Sequence, residues 1–281
     1  MKRLHILYTL LFIWLLPVTS NGQPAGKEKL RVISYNIWNG FEHDASRRAN
    51  FINWIKGQQP DILAMTELVG FTEKDLGQLA SEYGHKYYAI VKEEGYPVGI
   101  TSNEPITVVK KQMEGFWHGM LHVKTHGLDM IVTHLSPHDW KFRLKEAQML
   151  TSYIQDNQLD NCMVMGDFNA YSPFDADWVE THAQLIENMQ KWDAEQEAYR
   201  NMRDGRFDYS VLSKFLSIGL TDICRLYVPA DKRTTFPAAF LYGWQHGDTR
   251  LHGIGERLDY ILVSPSLVSR CLDARIHNGI E

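Results

Sequence analysis

Five stretches of this chain run through apolar residues and then reach a side chain suited to hydrogen bonding or metal ligation. They are Ser34-Tyr35-Asn36, Met65-Thr66-Glu67, Val132-Thr133-His134, Met165-Gly166-Asp167-Phe168-Asn169 and Arg257-Leu258-Asp259-Tyr260. A buried strand with Asn, Glu, His or Asp at its end must give that group a partner, because an unpaired polar group removed from water is costly. If the five meet at one edge of a stacked pair of sheets, they form an oxygen-rich cleft with one imidazole. Hard oxygen donors suit Mg²⁺, Mn²⁺ or Ca²⁺ rather than zinc.

The segments between these ends set the architecture. Leu30 to Ile37 reads as a buried strand. Ala49, Ile52 and Ile55 give helical spacing within residues 46–56, and Gln-Gln-Pro-Asp stops that helix before a strand over 62–66. A helix is expected over 74–83. Strand-length runs follow at 86–92, 97–102, 105–113, 117–125 and 128–134, separated by turn signals. Residues 140–155 are helical by period, and 161–166 form a buried strand. Residues 175–216 read as mostly helical, with Trp178, Leu185, Met189 and Trp192 as core contacts, and a strand resumes over 259–264. No internal repeat or low-complexity linker divides the chain. One α/β domain over 28–281, built on two packed sheets, is the expectation.

The first residues stand apart from that domain. Lys2 and Arg3 precede the apolar run Leu4–Val18, and Thr19-Ser20-Asn21-Gly22 follow it. This is the pattern of a signal peptide over 1–22, cleaved after Gly22, and it implies a secreted or periplasmic protein. The run is short for a membrane span. Losing Lys2 and Arg3 removes two cations and no acid, taking the net charge from −5 to −7. Such a chain has no general attraction for polyanions. Cys162, Cys224 and Cys271 lack zinc-site spacing and read as buried free thiols.

Taken in order, the five segments resemble the endonuclease/exonuclease/phosphatase family. These are DNase I-like metal-dependent phosphoesterases, and they include nucleases, neutral sphingomyelinases and inositol-polyphosphate phosphatases. The most specific match is Gly166-Asp167-Phe168-Asn169 with its tail Ala170-Tyr171-Ser172-Pro173. Gly99 to Ile106 and Gly219-Leu220-Thr221-Asp222 match more weakly, and the resemblance runs from about Arg31 to Ser264. It implies a four-layer α/β/β/α sandwich and metal-assisted attack of water on a phosphoester.

The resemblance also implies roles. Asn36 and Glu67 would sit at the metal, and Asp167 would activate or orient the water. His134 and Asn169 would hold the phosphate oxygens, while Asp259 would stand behind a second catalytic His. Pairing of Asp259 with Arg257 is the structural alternative. Thr66 occupies a position where the family commonly has Gln, and His138 reads as a loop residue. The family closes on a Ser-Asp-His segment that is not met before Glu281. The expectation is therefore a fragment with the last strand missing and activity much reduced.

Substrate is set by loops between the shared strands. The acidic charge weighs against tight duplex binding, so a small-molecule or lipid-like phosphoester is slightly preferred to nucleic acid. The aromatic stretch over 236–244 is read as packing, with contact to a lipid or base as its functional alternative. No obligate protein partner is evident. A catalytically impaired binding module is the competing functional reading.

Overall fold

The computed structural model describes residues 29–196, 198–238, 241 and 255–278. The expected leader over 1–22 lies outside these residues, as do 239, 240 and 242–244 of the aromatic stretch. Among the described residues, no helix is long and apolar enough to cross a membrane.

Two large sheets form the centre. The first contains β1 (Val32–Asn36), β2 (Ile62–Thr66), β3 (Tyr87–Ile90) and β4 (Gly99–Ser102), in the order β1-β2-β4-β3. The second contains β5 (Thr107–Gln112), β6 (Met120–Thr125), β7 (Leu128–His134), β8 (Cys162–Asp167), β11 (Thr221–Asp222) and β12 (Asp259–Val263). Its order is β11-β12-β8-β7-β6-β5.

Period-2 alternation sorts the strand residues into layers. Ile62 and Ala64 of β2 meet Met130 and Val132 of β7 and Met165 of β8 in a core between the sheets. Leu63 and Met65 face the other way, onto α1 (Ala45–Gln58) and α2 (Glu73–Glu82) through Phe51, Ile52, Ile55, Leu76 and Leu79. On the far side, Ile131 and Val164 pack on α3 (Trp140–Asp156) and α6 (Ser210–Ser217) through Ala147, Leu150, Ile154, Val211 and Phe215. The result is helix, sheet, sheet, helix. The central strands β2, β4, β7 and β8 are buried on both faces, which is why their runs are almost continuously apolar in sequence.

Two expectations need adjustment. Within 175–216 the chain forms α4 (Ala176–Thr181) and α5 (Ala183–Glu195), then a small hairpin, β9 (Met202–Arg203) and β10 (Arg206–Phe207), before α6. The hairpin turn is Asp204-Gly205, both at positive φ, which is the Asp-Gly signature of a two-residue turn. Met202 and Phe207 are buried beside Leu185 and Met189, with Trp178 and Trp192 packed against them. The other adjustment concerns β6, which starts at Met120 rather than at 117. Gly119, at φ 107°, turns the chain there, so Trp117 and His118 precede the ladder. Among the described residues the remaining α-helices are the short α7 (Ile223–Tyr227) and α8 (Pro265–Val268). All three cysteines are free thiols, two of them buried.

Gly166 is irreplaceable on geometry. Its φ is 133°, and a Cβ there would lie 1.9 Å from the carbonyl oxygen of Thr133 on β7. Close approach of β7 and β8 is what sets His134 opposite Asp167 in register. Gly166→Ala is therefore expected to destabilise the fold by at least about 3 kcal/mol, combining backbone strain with a clash against main chain. Urea unfolding would read this, and a loss below about 1 kcal/mol would contradict it.

Candidate active site

Topology explains why the polar ends converge. β1 and β2 are parallel, so Asn36 and the residue after Thr66 emerge at the same edge. β7 and β8 are likewise parallel, which aligns His134 with Asp167. β12 runs antiparallel to β8, so its first residue, Asp259, pairs with the last residue of β8, Asp167. The two sheets meet here, where the Asn36 amide of one sheet donates to the Asp167 carboxylate of the other at 3.2 Å.

Asn36 holds the centre together. Its oxygen accepts from the Trp38 amide at 2.8 Å, which directs its NH₂ towards the acids. That NH₂ bridges Glu67 Oε1 at 2.9 Å and Asp167 Oδ2. In this arrangement Asn36 orients two carboxylates and keeps its own oxygen occupied. The second Glu67 oxygen accepts from the Asn39 amide at 2.8 Å. Glu67 itself sits at φ 59°, a conformation uncommon for a non-glycine residue, and its carbonyl accepts from the Gly40 and Val69 amides. The Thr66 hydroxyl is buried without a hydrogen-bond partner and adds nothing to the hold on Glu67.

The Asp167-Phe168-Asn169 segment is a tight turn. Asp167 Oδ1 accepts from the Asn169 amide at 2.9 Å, and Asn169 takes φ 47°, which its short polar side chain tolerates. Asn169 Nδ2 donates to the Leu135 carbonyl at 3.0 Å, tying the turn to the end of β7. Phe168 points the opposite way and packs edge-on against Phe215 and Tyr260. Asp259 is half-buried beside Asp167. Its backbone N–H and that of Leu258 both donate to the Thr235 hydroxyl, at 3.1 and 3.0 Å.

Arg257 does not pair with Asp259. Its guanidinium is committed to Asp175 and Asp222, each at 2.6 Å. The structural alternative for Asp259 is thereby removed, and this carboxylate faces the cleft beside other acids.

Electrostatics follow from that crowding. Burial raises the Glu67 carboxyl, against the hydrogen bonds from Asn36 and Asn39. Burial pushes Asp167 up to about 6. Asp259 is raised well above the usual carboxylate range by burial and then by the charge of Asp167. His134 goes the other way: burial, with Lys92 nearby, brings it down to about 3, so the imidazole is neutral at physiological pH. His134 Nε2 lies 3.8 Å from Asp167 Oδ2, and its Nδ1 is buried with no hydrogen-bond partner. Glu67, His134 and Asp167 each offer a ligand atom within 4.8 Å of the others. A set of crowded carboxylates raised by desolvation, beside an imidazole with an orphaned nitrogen, is the donor chemistry that a divalent cation satisfies. The residues fit such an ion.

Some supporting residues gave no sequence signal. His118 is buried and stacks on His134 with ring centroids 4.3 Å apart. Glu146 looks in sequence like a helix-surface charge, yet it is fully buried on α3. Its two oxygens accept from the Trp117 and Ser136 amides, each at 2.8 Å. Thr235 lies in a stretch with no motif, and only the fold brings it under Asp259.

Comparison with known proteins agrees with this fold. The chain resembles an AP endonuclease from Archaeoglobus fulgidus at TM-score 0.62 and 23% identity, over 87% of this chain and 90% of that one. It resembles the 3'-5' exonuclease NExo from Neisseria meningitidis at TM-score 0.63 and 21% identity, over 87% and 90%. A third structure, described as the 3' phosphatase NExo from Neisseria bound to product DNA hairpin, matches at TM-score 0.62 and 19% identity over 89% and 96%. None of these descriptions names a lipid or free small-molecule substrate, so the slight preference for one gains no support from them. No curated protein matches the chain in sequence. The family model described as Endonuclease/Exonuclease/phosphatase family matches residues 33–280. That span takes in all five polar strand ends, and the chain belongs to the endonuclease/exonuclease/phosphatase family.

Proposed function

We propose that the protein is a divalent-metal-dependent phosphoesterase that directs water onto a phosphodiester or phosphomonoester. The observation that carries this reading is the convergence of Glu67, His134 and Asp167 within 4.8 Å in a buried, acid-rich cleft. Glu67 and Asp167 would hold the ion through their carboxylates, with Asn36 setting the angle of both. When bound, a Mg²⁺, Mn²⁺ or Ca²⁺ ion supplies positive charge that offsets the charge developing on the phosphoryl oxygens.

The chain's own residues do the rest. Asp167, with one oxygen fixed by the Asn169 amide, orients the attacking water and accepts its proton at Oδ2. Neutral His134 donates a hydrogen bond to a non-bridging oxygen. Asn169 keeps one N–H beyond its bond to Leu135 and offers it to the same phosphate. Asp259 is placed by Thr235 to orient a proton-carrying partner across the cleft. Export by a leader over 1–22 is part of the proposal, and it would place the enzyme in the periplasm or outside the cell.

The test joins binding to turnover. Mg²⁺ or Mn²⁺ should raise the melting temperature of EDTA-treated protein and support hydrolysis within a panel of diester, monoester, DNA and sphingomyelin substrates. EDTA should reverse both effects. A melting temperature indifferent to both ions, together with no metal-dependent hydrolysis, would refute the reading. Metal binding without any turnover would favour the binding-module alternative.

A further inference from the structure

A pocket of about 470 Å³ lined by Trp117, Ser136, His138, Lys141, Phe142 and Lys145 adjoins the chain segments that carry His118 and His134. Two chain segments connect it to the site. Trp117 precedes His118, whose ring stacks on His134, and Ser136 lies two residues beyond His134. Glu146 clamps both segments by accepting from the amides of Trp117 and Ser136. The pocket wall and the segment that ends in His134 are thus tied to α3 through one buried carboxylate.

The lining has a definite chemistry. Trp117 is 46% exposed, an uncommon state for the largest apolar side chain in a well-packed loop. Its ring meets His138 at 4.4 Å and Phe142 edge-on at 6.0 Å, and His138 lies flat on Tyr199 at 4.7 Å. Aromatic neighbours hold the indole in place while leaving it open to solvent. Lys141 and Lys145 stand one helical turn apart at the start of α3, both exposed. One acid, Asp139, also lies on the lining; its Oδ1 caps α3 by accepting from the Lys141 amide at 2.6 Å, and the two lysines outnumber its charge.

An open aromatic face next to two ammonium groups suits a flat ring that carries an anion. A choline-type headgroup would meet the aromatic faces but be repelled by both lysines. A bare sugar phosphate would use the lysines and leave the indole idle. We propose that this pocket is a subsite for a nucleotide, with the base stacked on Trp117 and a phosphate paired with Lys141 and Lys145. Resting on the phosphoesterase reading, the inference makes the scissile ester at Glu67, His134 and Asp167 one that belongs to a nucleotide. The source is either a free nucleotide or the end of a single strand.

The test is equilibrium binding in EDTA, followed by the anisotropy of ethenoadenosine 5'-monophosphate. Without metal the acidic cluster repels phosphate, so the measurement reports the pocket. Trp117→Ala should weaken binding about tenfold or more, while Trp117→Phe keeps most of it. The Lys141→Ala/Lys145→Ala double variant should weaken the monophosphate and leave ethenoadenosine unchanged. A single-stranded tetranucleotide that binds more tightly, with steeper salt dependence, identifies a strand end; equal binding identifies a free nucleotide. Unchanged affinity in Trp117→Ala, or competition by ribose 5-phosphate as effective as by AMP, would overturn the proposal. Because neither metal nor turnover enters the measurement, failure of the phosphoesterase reading leaves this result readable. Conversely, metal-dependent hydrolysis of p-nitrophenyl esters without nucleotide binding would sink the subsite alone.

Discussion

Asp167→Ala is expected to lower metal-dependent phosphoester hydrolysis by about a thousandfold or more, in a protein that stays folded. Asp167 is the point on which both sheets converge. It receives the Asn36 amide from the first sheet, lies 3.8 Å from His134 on its own sheet, and pairs in register with Asp259. Its removal takes away the proposed metal-binding oxygen and the proposed proton acceptor together.

The accompanying stability change separates this result from simple unfolding. Burial pushes the Asp167 carboxyl up to about 6. An acid raised on folding holds more protons in the folded than in the unfolded state between about pH 4 and pH 6. Its ionisation therefore lowers stability as pH rises through that window. Asp167→Asn, which keeps the shape and removes the charge, should be at least as stable as the wild type at pH 8 in EDTA, and its advantage should shrink below about pH 5. A folded Asp167→Ala enzyme that keeps most of its turnover would remove Asp167 from the mechanism.

The largest expected loss of stability lies at Arg257. This guanidinium is buried, donates to Asp175 through Nε and to Asp222 through both terminal nitrogens, and lies over the Tyr260 ring at 4.5 Å. Arg233 completes the group with a 3.1 Å bond to Asp175. Burial already raises the Asp175 carboxyl against the pull of both arginines. Without Arg257, two acids would remain in the interior with at most one cation between them. Arg257→Ala is expected to cost about 3–5 kcal/mol in chemical denaturation, because breaking a buried pair strands its partner charges. Adding Asp175→Asn and Asp222→Asn to Arg257→Met should recover part of that loss. A single-variant loss under about 1 kcal/mol would mean that water reaches the acids. The network also joins the segment after the Asp167 turn, β11 and the start of β12, so the same substitution should also lower turnover by displacing Asp259 at the cleft.

The two kinds of functional residue differed in legibility. Residues at the ends of apolar runs could be picked out because a polar group there contradicts its surroundings. Asn36, Glu67, His134, Asp167, Asn169 and Asp259 all carried this mark, and the structure places them around one cleft. Residues that support the site from inside regular elements carried none. Glu146 occupies a helical position typical of surface charge, and its burial depends on a loop from before β6 folding over α3. His118 lies in an apolar run continuous with β6, and only the turn at Gly119 takes it out of the ladder. The Asp204-Gly205 turn does carry a local hairpin signal, set within flanking residues of helical period.

By itself, then, the sequence determined the layering and the reaction class. Apolar strands long enough to be buried on both faces require two sheets covered by helices, and the hard donors at their ends suit a cation. Tertiary structure alone decided which of those groups come together, which way Arg257 turns, and that a tryptophan stands open on the pocket that adjoins their segments. Those outcomes depend on strand direction and on contacts between residues far apart in the chain. Parallel β1/β2 and β7/β8 pairs, with β12 reversed, bring the ends to one edge, and no local pattern of residues encodes that meeting.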